Sequence, residues 1–244
     1  MRKVKKFKLT SEFIVDISGV KLFRIKALIE FGNVKAGDLG GYIEKEENLS
    51  HMGNAWVSGN AQVSGDAWVS GNARVSGDAQ VFGDARVSGN AQVFGDAQVS
   101  GNARVFGNAR VSGNAQVSGN ARVFGDARVS GNARVSGNAQ VFGDAQVFGD
   151  AQVFGDARVF GDARVFGNAW VSGDKDYAYA HGFGSCNRTT TFFRLKDGDV
   201  GVRCGCFYGT LAQFRDNVCE THGETKKAQE YLMLADLMDF RFKN

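Results

Sequence analysis

Three cysteines and a histidine in the last quarter of this 244-residue chain could together bind zinc. Cys204 and Cys206 alternate along one predicted strand, and Cys219 and His222 are three residues apart on one predicted helix face. Three thiolates and an imidazole form a known type of structural zinc site. The sequence leaves two interpretations: a Cys3His zinc site, or no cofactor and thiols buried in a small core.

A second candidate site precedes the first of these cysteines. The stretch from Gly184 to Thr191 is rich in glycine and hydroxyl groups and contains one arginine. Backbone amides, hydroxyls and a guanidinium are the groups that hold a phosphate or a nucleotide. The candidate ligand-binding residues are Ser185, Asn187, Arg188, Thr189, Thr190 and Thr191. The alternative is an ordinary loop that leads into a threonine-rich strand.

General-base chemistry would need a histidine, and all three lie outside the central region of the chain: His51, His181 and His222. Residues 53–172 contain no His, Cys or Lys. His51 and His181 are therefore the candidates for a base at the edge of that region, although no partner of His181 is visible in the sequence.

The elements that carry these candidates are predicted to form a small ββαα domain. Residues 189–194 and 200–207 flank Lys196–Asp199 and predict a β-hairpin. Thr210 and Gln213 form a capping box that begins a helix, and Gly223 ends it. Thr225 caps a second helix with an apolar stripe.

A tandem repeat fills the middle of the chain. Residues 53–172 are twenty copies of Gly-(Asn/Asp)-Ala-(Trp/Gln/Arg)-Val-(Ser/Phe), with no insertion. Ala and Val are two residues apart, so they share one side of an extended segment, and the residue between them points outward. Gly and Asn/Asp tolerate the positive φ of a tight corner. Each copy is thus a short strand followed by a corner, and the strands must stack on neighbouring coils of a solenoid.

The outward residues indicate three copies of the hexapeptide in each coil, which is an 18-residue period. When every third copy is placed in one column, Gln62, Gln80, Gln98 and Gln116 align. The same arrangement gathers four corner phenylalanines into one ladder: Phe106, Phe124, Phe142 and Phe160. We expect this ladder either to stack within the chain or to form an oligomer or partner interface. The repeat also holds nine Arg and nine Asp, which we expect to pair across strands and corners.

The repeat resembles that of left-handed parallel β-helix proteins, in which an aliphatic residue recurs every sixth position with a small residue four places later. Val57 with Ala61 and Val63 with Ala67 match this pattern, which continues to Val165 with Ala169. The resemblance implies a mainly β fold: a three-sided left-handed parallel β-helix with 18-residue coils. Hexapeptide-repeat acyltransferases use a catalytic His, a protruding loop and a trimer interface, and the repeat here has neither His nor loop.

Both ends of the chain resemble parts of phage proteins. The segment Leu-Gly-Gly-Tyr-Ile-Glu at residues 39–44, followed by Asn-Leu-Ser at 48–50, is similar to the start of bacterial and prophage-encoded hexapeptide-repeat proteins often labelled as transferases. Arg-Thr-Thr-Thr-Phe-Phe at 188–193 and Cys-Gly-Cys-Phe at 204–207 look like a phage-associated C-terminal domain. This resemblance carries no established activity.

Three segments are predicted. Residues 1–52 form an N-terminal β cap with a hairpin at Ser18–Gly19 and an irregular first coil, residues 53–174 form the β-helix, and residues 175–244 form a C-terminal α+β domain. The formal net charge of +3 is too small to indicate a nucleic-acid binder. No apolar run approaches the roughly 18 residues of a membrane span, so we expect no membrane partner.

These features favour a non-enzymatic binding or scaffolding protein of phage or prophage origin, located in the cytoplasm of a bacterial host cell. A packed Ala and Val core leaves no room for a ligand inside the solenoid, so the C-terminal domain is expected to recognise the partner. We expect a homo-oligomer, a dimer or trimer, and a host protein or a nucleotide signal as ligand, as in a counter-defence factor. The alternative is an acyltransferase-like enzyme that uses His51 or His181.

Overall fold

In a computed structural model of the chain, residues 4–184 and 188–243 are described. The chain begins with a hairpin of β1 (Phe7–Val15) and β2 (Lys21–Ala27), which pair antiparallel around the predicted Ser18–Gly19 turn. The next strand, β3 (Leu39–Ile43), pairs antiparallel with β2 and parallel with a strand of the solenoid. With a 3-10 helix at Glu46–Asn48, it forms the irregular first coil that the sequence predicts.

Each of the twenty hexapeptides contributes one two-residue strand, in which the first residue points outward and valine points inward. In chain order, β4 to β23 are Trp56–Val57, Gln62–Val63, Trp68–Val69, Arg74–Val75, Gln80–Val81, Arg86–Val87, Gln92–Val93, Gln98–Val99, Arg104–Val105, Arg110–Val111, Gln116–Val117, Arg122–Val123, Arg128–Val129, Arg134–Val135, Gln140–Val141, Gln146–Val147, Gln152–Val153, Arg158–Val159, Arg164–Val165 and Trp170–Val171.

The coil has three sides and an 18-residue period, as predicted. Every solenoid strand pairs in parallel with the strand three positions away, as Gln98 does with Gln116, which gives three sheets. We name them by their outward residues. The Gln face carries residues 62, 80, 98, 116, 134, 152 and 170, the first Arg face carries 56, 74, 92, 110, 128, 146 and 164, and the second Arg face carries 68, 86, 104, 122, 140 and 158.

The interior of the solenoid is filled by alanine and valine. In all twenty copies both residues are at most 1% exposed, and they form one continuous core. This packing follows from the two-residue spacing of Ala and Val, which turns both side chains to the axis. The core extends past the last coil, because Tyr177 and Phe193 of the C-terminal domain belong to it.

The predicted phenylalanine ladder forms within the chain, on the edge between the second and first Arg faces. Phe106, Phe124 and Phe142 stack with parallel rings 4.9 Å apart, and Phe160 follows at 5.3 Å. Phe160 then meets Tyr177 and a second tyrosine of the C-terminal domain edge-on. The ladder is therefore an aromatic column that joins the solenoid to that domain.

The predicted pairing of repeat Arg with repeat Asp is wrong. Among the described residues, none of the nine repeat arginines has a carboxylate within 4.0 Å. The arginines lie on the faces, whereas the corner side chains hydrogen-bond to each other along the axis. For example, Asn72 donates to Asn90, Asn90 to Asn108, and Asn108 to Asp126, with N–O distances of 3.0–3.1 Å. Four of the nine corner carboxylates, those of Asp78, Asp126, Asp150 and Asp156, thus accept from asparagines of the preceding coil.

The C-terminal domain has a four-stranded antiparallel sheet instead of the predicted hairpin. Its strands are β24 (Tyr177–Phe183), β25 (Arg188–Arg194), β26 (Val200–Cys204) and β27 (Phe207–Thr210), in that order across the sheet. The hairpin β25–β26 is confirmed, but the strand predicted over 200–207 is divided by a turn at Gly205, which has a φ of +58°.

Two helices follow the sheet and pack on it. They are α1 (Leu211–His222) and α2 (Lys226–Phe242), capped as predicted by the hydroxyls of Thr210 and Thr225. Their buried residues share a second core with Phe192 and Val202 of the sheet. Within the described part of the chain, neither helix is long and apolar enough to cross a membrane.

The two caps satisfy opposite ends of the parallel strand ladders. The first coil presents free carbonyls, to which donors come from Lys6, whose Nζ lies 2.7 Å from the Ala55 oxygen, and from Asn48, whose Nδ2 lies 2.9 Å from the Ala67 oxygen. The last coil presents free N–H groups. Arg158 donates its backbone N–H to Asp174 Oδ1, and Arg164 donates its own to Thr191 Oγ1, both at 2.9 Å.

Candidate functional site: a cleft between the last coil and the C-terminal sheet

The side chains that could bind a ligand or take part in chemistry lie together where the solenoid ends. An open cleft of about 420 Å³ lies between the last coil and the C-terminal sheet. We call it the junction cleft, and its lining residues are Asp162, Arg164, His181, Arg188, Thr189 and Gly205. Asp162 and Arg164 come from the last corner and strand of the first Arg face, His181 from β24, Arg188 and Thr189 from β25, and Gly205 from the turn before β27.

The two walls of the cleft are fixed to each other. Besides the hydrogen bond from Arg164 to Thr191, the backbone N–H of Lys196 donates to the Asn168 carbonyl at 3.2 Å. Burial raises the pKa of Tyr177, and Asp174 raises it further, because both disfavour the phenolate. The junction is therefore a packed interface, and the cleft residues are held on rigid elements.

His181 lies at the centre of the polar cluster. Its Nδ1 is 2.9 Å from the hydroxyl oxygen of Thr189 and 4.0 Å from Oδ2 of Asp162. In a catalytic triad the acid and the nucleophile contact opposite nitrogens of the imidazole, so that a proton passes through the ring. Here both partners approach the same nitrogen. The arrangement orients the ring and the hydroxyl but does not form a proton relay.

Two arginines lie beside this histidine. Among the described residues, neither Arg164 nor Arg188 has a carboxylate within ion-pair distance, and both side chains are exposed. The guanidinium of Arg188 lies over Gly205, and a Cβ at that position would collide with it. The glycine therefore provides both the positive φ of the turn and the space for Arg188.

Comparison with known families agrees with this geometry. A family described as YdcK beta solenoid repeat matches residues 79–95, 97–113, 103–117, 115–130, 127–143 and 157–173. All these stretches lie in the part of the chain that forms 18-residue coils. The chain contains a repeat β-helix. No curated protein matches the chain.

In this β-helix protein, only part of the predicted ligand-binding stretch faces the cleft. Arg188 and Thr189 line it as predicted. Thr190 and Thr191 do not, because both are buried: Thr190 donates its hydroxyl to Cys204 Sγ at 3.2 Å, and Thr191 accepts from the last coil. Ser185 and Asn187 lie outside the described residues.

The predicted zinc ligands are not brought together. In the described ranges, to which Cys204, Cys206, Cys219 and His222 belong, no group of three or more His, Cys, Asp or Glu side chains is placed to hold a metal ion. Tyr231 contacts members of the set from both sides: its hydroxyl is 3.8 Å from Cys204 Sγ, and its ring stacks on His222. Cys206 and Cys219 are exposed.

His51, the other candidate base, is packed and hydrogen-bonded within the N-terminal cap. Its ring stacks on Phe7 with centroids 4.3 Å apart, and its Nδ1 accepts a hydrogen bond from the Lys6 backbone at 3.2 Å. Its Nε2 lies 3.6 Å from Glu46. The ring packs the N-terminal cap against the first coil, far along the solenoid from the junction cleft.

Sequence reasoning missed Asp162, Arg164 and Gly205 as cleft residues. Asp162 and Arg164 are ordinary members of the repeat, and only their position in the last copies places them beside the C-terminal sheet. The signal that could have found them is the end of the repeat itself, since whatever follows a solenoid must pack on its final coil.

Proposed function

We propose that this chain is a non-enzymatic binding and scaffolding protein, in which the solenoid holds the C-terminal domain and that domain recognises a partner. The observation that carries the proposal is the filled core, in which the alanine and valine of all twenty copies are at most 1% exposed. A core packed in this way has no internal cavity for a substrate. The solenoid thus acts as a rigid support, and recognition falls to its ends and outer surfaces.

The geometry of the histidines also favours binding over acyl transfer. His51 is stacked and hydrogen-bonded inside the N-terminal cap. His181 is accessible, but Asp162 and Thr189 share one of its nitrogens and cannot act as acid and nucleophile across the ring. An acyltransferase remains the alternative proposal, with His181 as its base.

A protein partner is supported by the outer face of α2. Met233, Leu237 and Phe240 are 70%, 55% and 72% exposed, although the opposite face of the helix is buried in the domain core. Positions i, i+4 and i+7 lie in one row on a helix, which is the spacing by which helices dock into apolar grooves of other proteins. We call Met233, Leu237 and Phe240 the α2 row and propose that it docks into such a groove.

The setting and the assembly are part of the proposal. The resemblance of residues 39–50 and 188–207 to phage and prophage proteins supports a role in the cytoplasm of a bacterial host, including that of a counter-defence factor. Phe160, the last member of the ladder, is 38% exposed, and this apolar edge supports self-association into a dimer or trimer.

Affinity capture from lysate of infected bacteria, with chemical cross-linking, tests the recognition role. The full chain is required, because Tyr177 and Phe193 complete the solenoid core and truncation at residue 174 would open the last coil. The test variant replaces all three residues of the α2 row by glutamine. The control variant replaces Gln98 and Gln116, which are half-buried on the Gln face, by alanine.

We expect the wild type and the control to retain one common host protein, cross-linked through α2, and the α2 variant to lose it. Equal capture by all three proteins, or no cross-link to α2, would refute recognition by this row. Calorimetry with acetyl-coenzyme A tests the alternative. Measurable binding that is lost in His181→Gln would favour the acyltransferase over the scaffold.

A further inference from the structure

We propose that the junction cleft is a binding site for the phosphate group of a small phosphorylated ligand, a sugar phosphate or a nucleoside monophosphate. The proposal goes beyond partner recognition by the α2 row, and the two surfaces share no residue. It depends on the residues that two separate parts of the chain bring into one cleft of about 420 Å³. A volume of this size is within the range of small-molecule sites.

The charge of the cleft is suited to an anion. Arg164 and Arg188 enter it from opposite walls, and Asp162 is the one carboxylate among its described lining residues. Two guanidinium groups against one carboxylate leave a net positive charge before His181 is counted. Neither arginine has an ion-pair partner among the described residues, so their forked donors remain available to a phosphate.

The neutral donors complete the site. The Thr189 hydroxyl is 2.9 Å from His181 Nδ1. When that nitrogen carries its proton it donates to the Thr189 oxygen, and the hydroxyl proton of Thr189 is then free to point at an anion. Asp162, 4.0 Å from Nδ1, favours this tautomer by its negative charge. Its oxygens can also accept from a hydroxyl of the ligand, which is why we infer a sugar next to the phosphate.

The backbone on both walls of the site is fixed before any ligand arrives. The Arg164 backbone is anchored through its N–H to Thr191, and the Arg188 guanidinium occupies the space that Gly205 leaves open. A fixed backbone on both walls leaves only the side chains to be ordered when a ligand binds, which limits the entropic cost of binding. Arg128, an arginine in an earlier coil of the first Arg face, lies outside the cleft.

The test is isothermal titration calorimetry of the full chain with ribose 5-phosphate, AMP and adenosine. Arg164→Gln and Arg188→Gln are the test variants. Arg128→Gln is the matched control, because residues 128 and 164 occupy the same column and the protein itself has glutamine between them at position 146. Circular dichroism and the melting temperature show that each variant keeps the fold.

We expect ribose 5-phosphate and AMP to bind and adenosine not to bind. Each cleft substitution should weaken binding at least about tenfold, because charge-assisted hydrogen bonds are stronger than neutral ones. Arg128→Gln should leave the affinity unchanged. Similar affinities for the two phosphorylated probes identify a sugar phosphate, and tighter AMP binding identifies a nucleotide. The proposal is overturned if neither probe binds at up to about 10 mM, if both cleft variants bind normally, or if adenosine binds as tightly as AMP.

Discussion

Gly119→Ala in a central coil should destabilise the solenoid by about 2 kcal/mol. Gly119 has a φ of +66°, where an L-residue with a Cβ costs about 1–2 kcal/mol. The added Cβ would also lie 3.1 Å from the backbone N and O of Gly137 in the next coil. That backbone cannot move away freely, because the Asn120 N–H donates to the Gly137 carbonyl at 2.8 Å. The contact between coils adds about 1 kcal/mol, the low end for overpacking. The loss of unfolded-state entropy returns roughly 0.4–1 kcal/mol, so the three contributions leave a net destabilisation of about 2 kcal/mol.

Gly173→Ala is the matched control for this substitution. Gly173 has an extended φ of −159°, and a Cβ there has no atom within 4 Å. Its replacement should leave stability unchanged or raise it by about 0.4–1 kcal/mol. Urea unfolding followed by circular dichroism measures both. Equal stabilities of the two variants would refute the reasoning that positive φ and contact between coils fix glycine at the corners.

Three further predictions concern the caps, the ladder and the cysteines. Burial lowers the pKa of Lys6 from 10.5 to about 8, so the unfolded chain binds more protons than the folded chain in this range, and the free energy of unfolding should rise with pH by up to about 1.4 kcal/mol per unit. The same slope in Lys6→Met would contradict this. Phe124→Ser removes two ring stacks and should cost about 1–3 kcal/mol, whereas Phe82→Ser, at a corner with no ring contact among the described residues, should cost less than half as much in the same urea assay. Elemental analysis of freshly purified protein should find less than about 0.2 zinc per chain, and a full equivalent would show that the cysteines assemble.

The coil could be predicted because its determinants are local and repeated. Ala115 and Val117 are two residues apart, so an extended backbone points both side chains to the same side. Because this spacing recurs in all twenty copies, stacking the copies as coils around one axis buries all of these side chains together. The 18-residue period followed from the columns of Gln and Phe. The helix starts at Thr210 and Thr225 followed from capping chemistry, which acts within one turn.

The candidate site could not be predicted, because it depends on contacts between distant residues. Thr189 and Thr191 are two residues apart on one side of β25, yet Thr189 lines the cleft and Thr191 accepts a hydrogen bond from the Arg164 backbone. Which side of β25 faces the solenoid depends on its pairing with β24, a strand that the sequence analysis did not predict. The expected Arg–Asp pairs do not form among the described residues for a related reason: corner side chains of successive coils hydrogen-bond to each other along the axis, as Asn108 does to Asp126.

The distance between spin labels at Gln62 and Gln152 tests the solid three-sided column most directly. Both residues lie on the Gln face, five strand steps apart, so the backbone separation should be about 24 Å. Genetically encoded labels leave the native cysteines in place, and pulsed electron paramagnetic resonance measures the distance. A single narrow distribution near this value, widened only by the label linkers, is expected. A broad distribution, or one centred beyond about 40 Å, would contradict the 18-residue coil and the junction cleft that it positions.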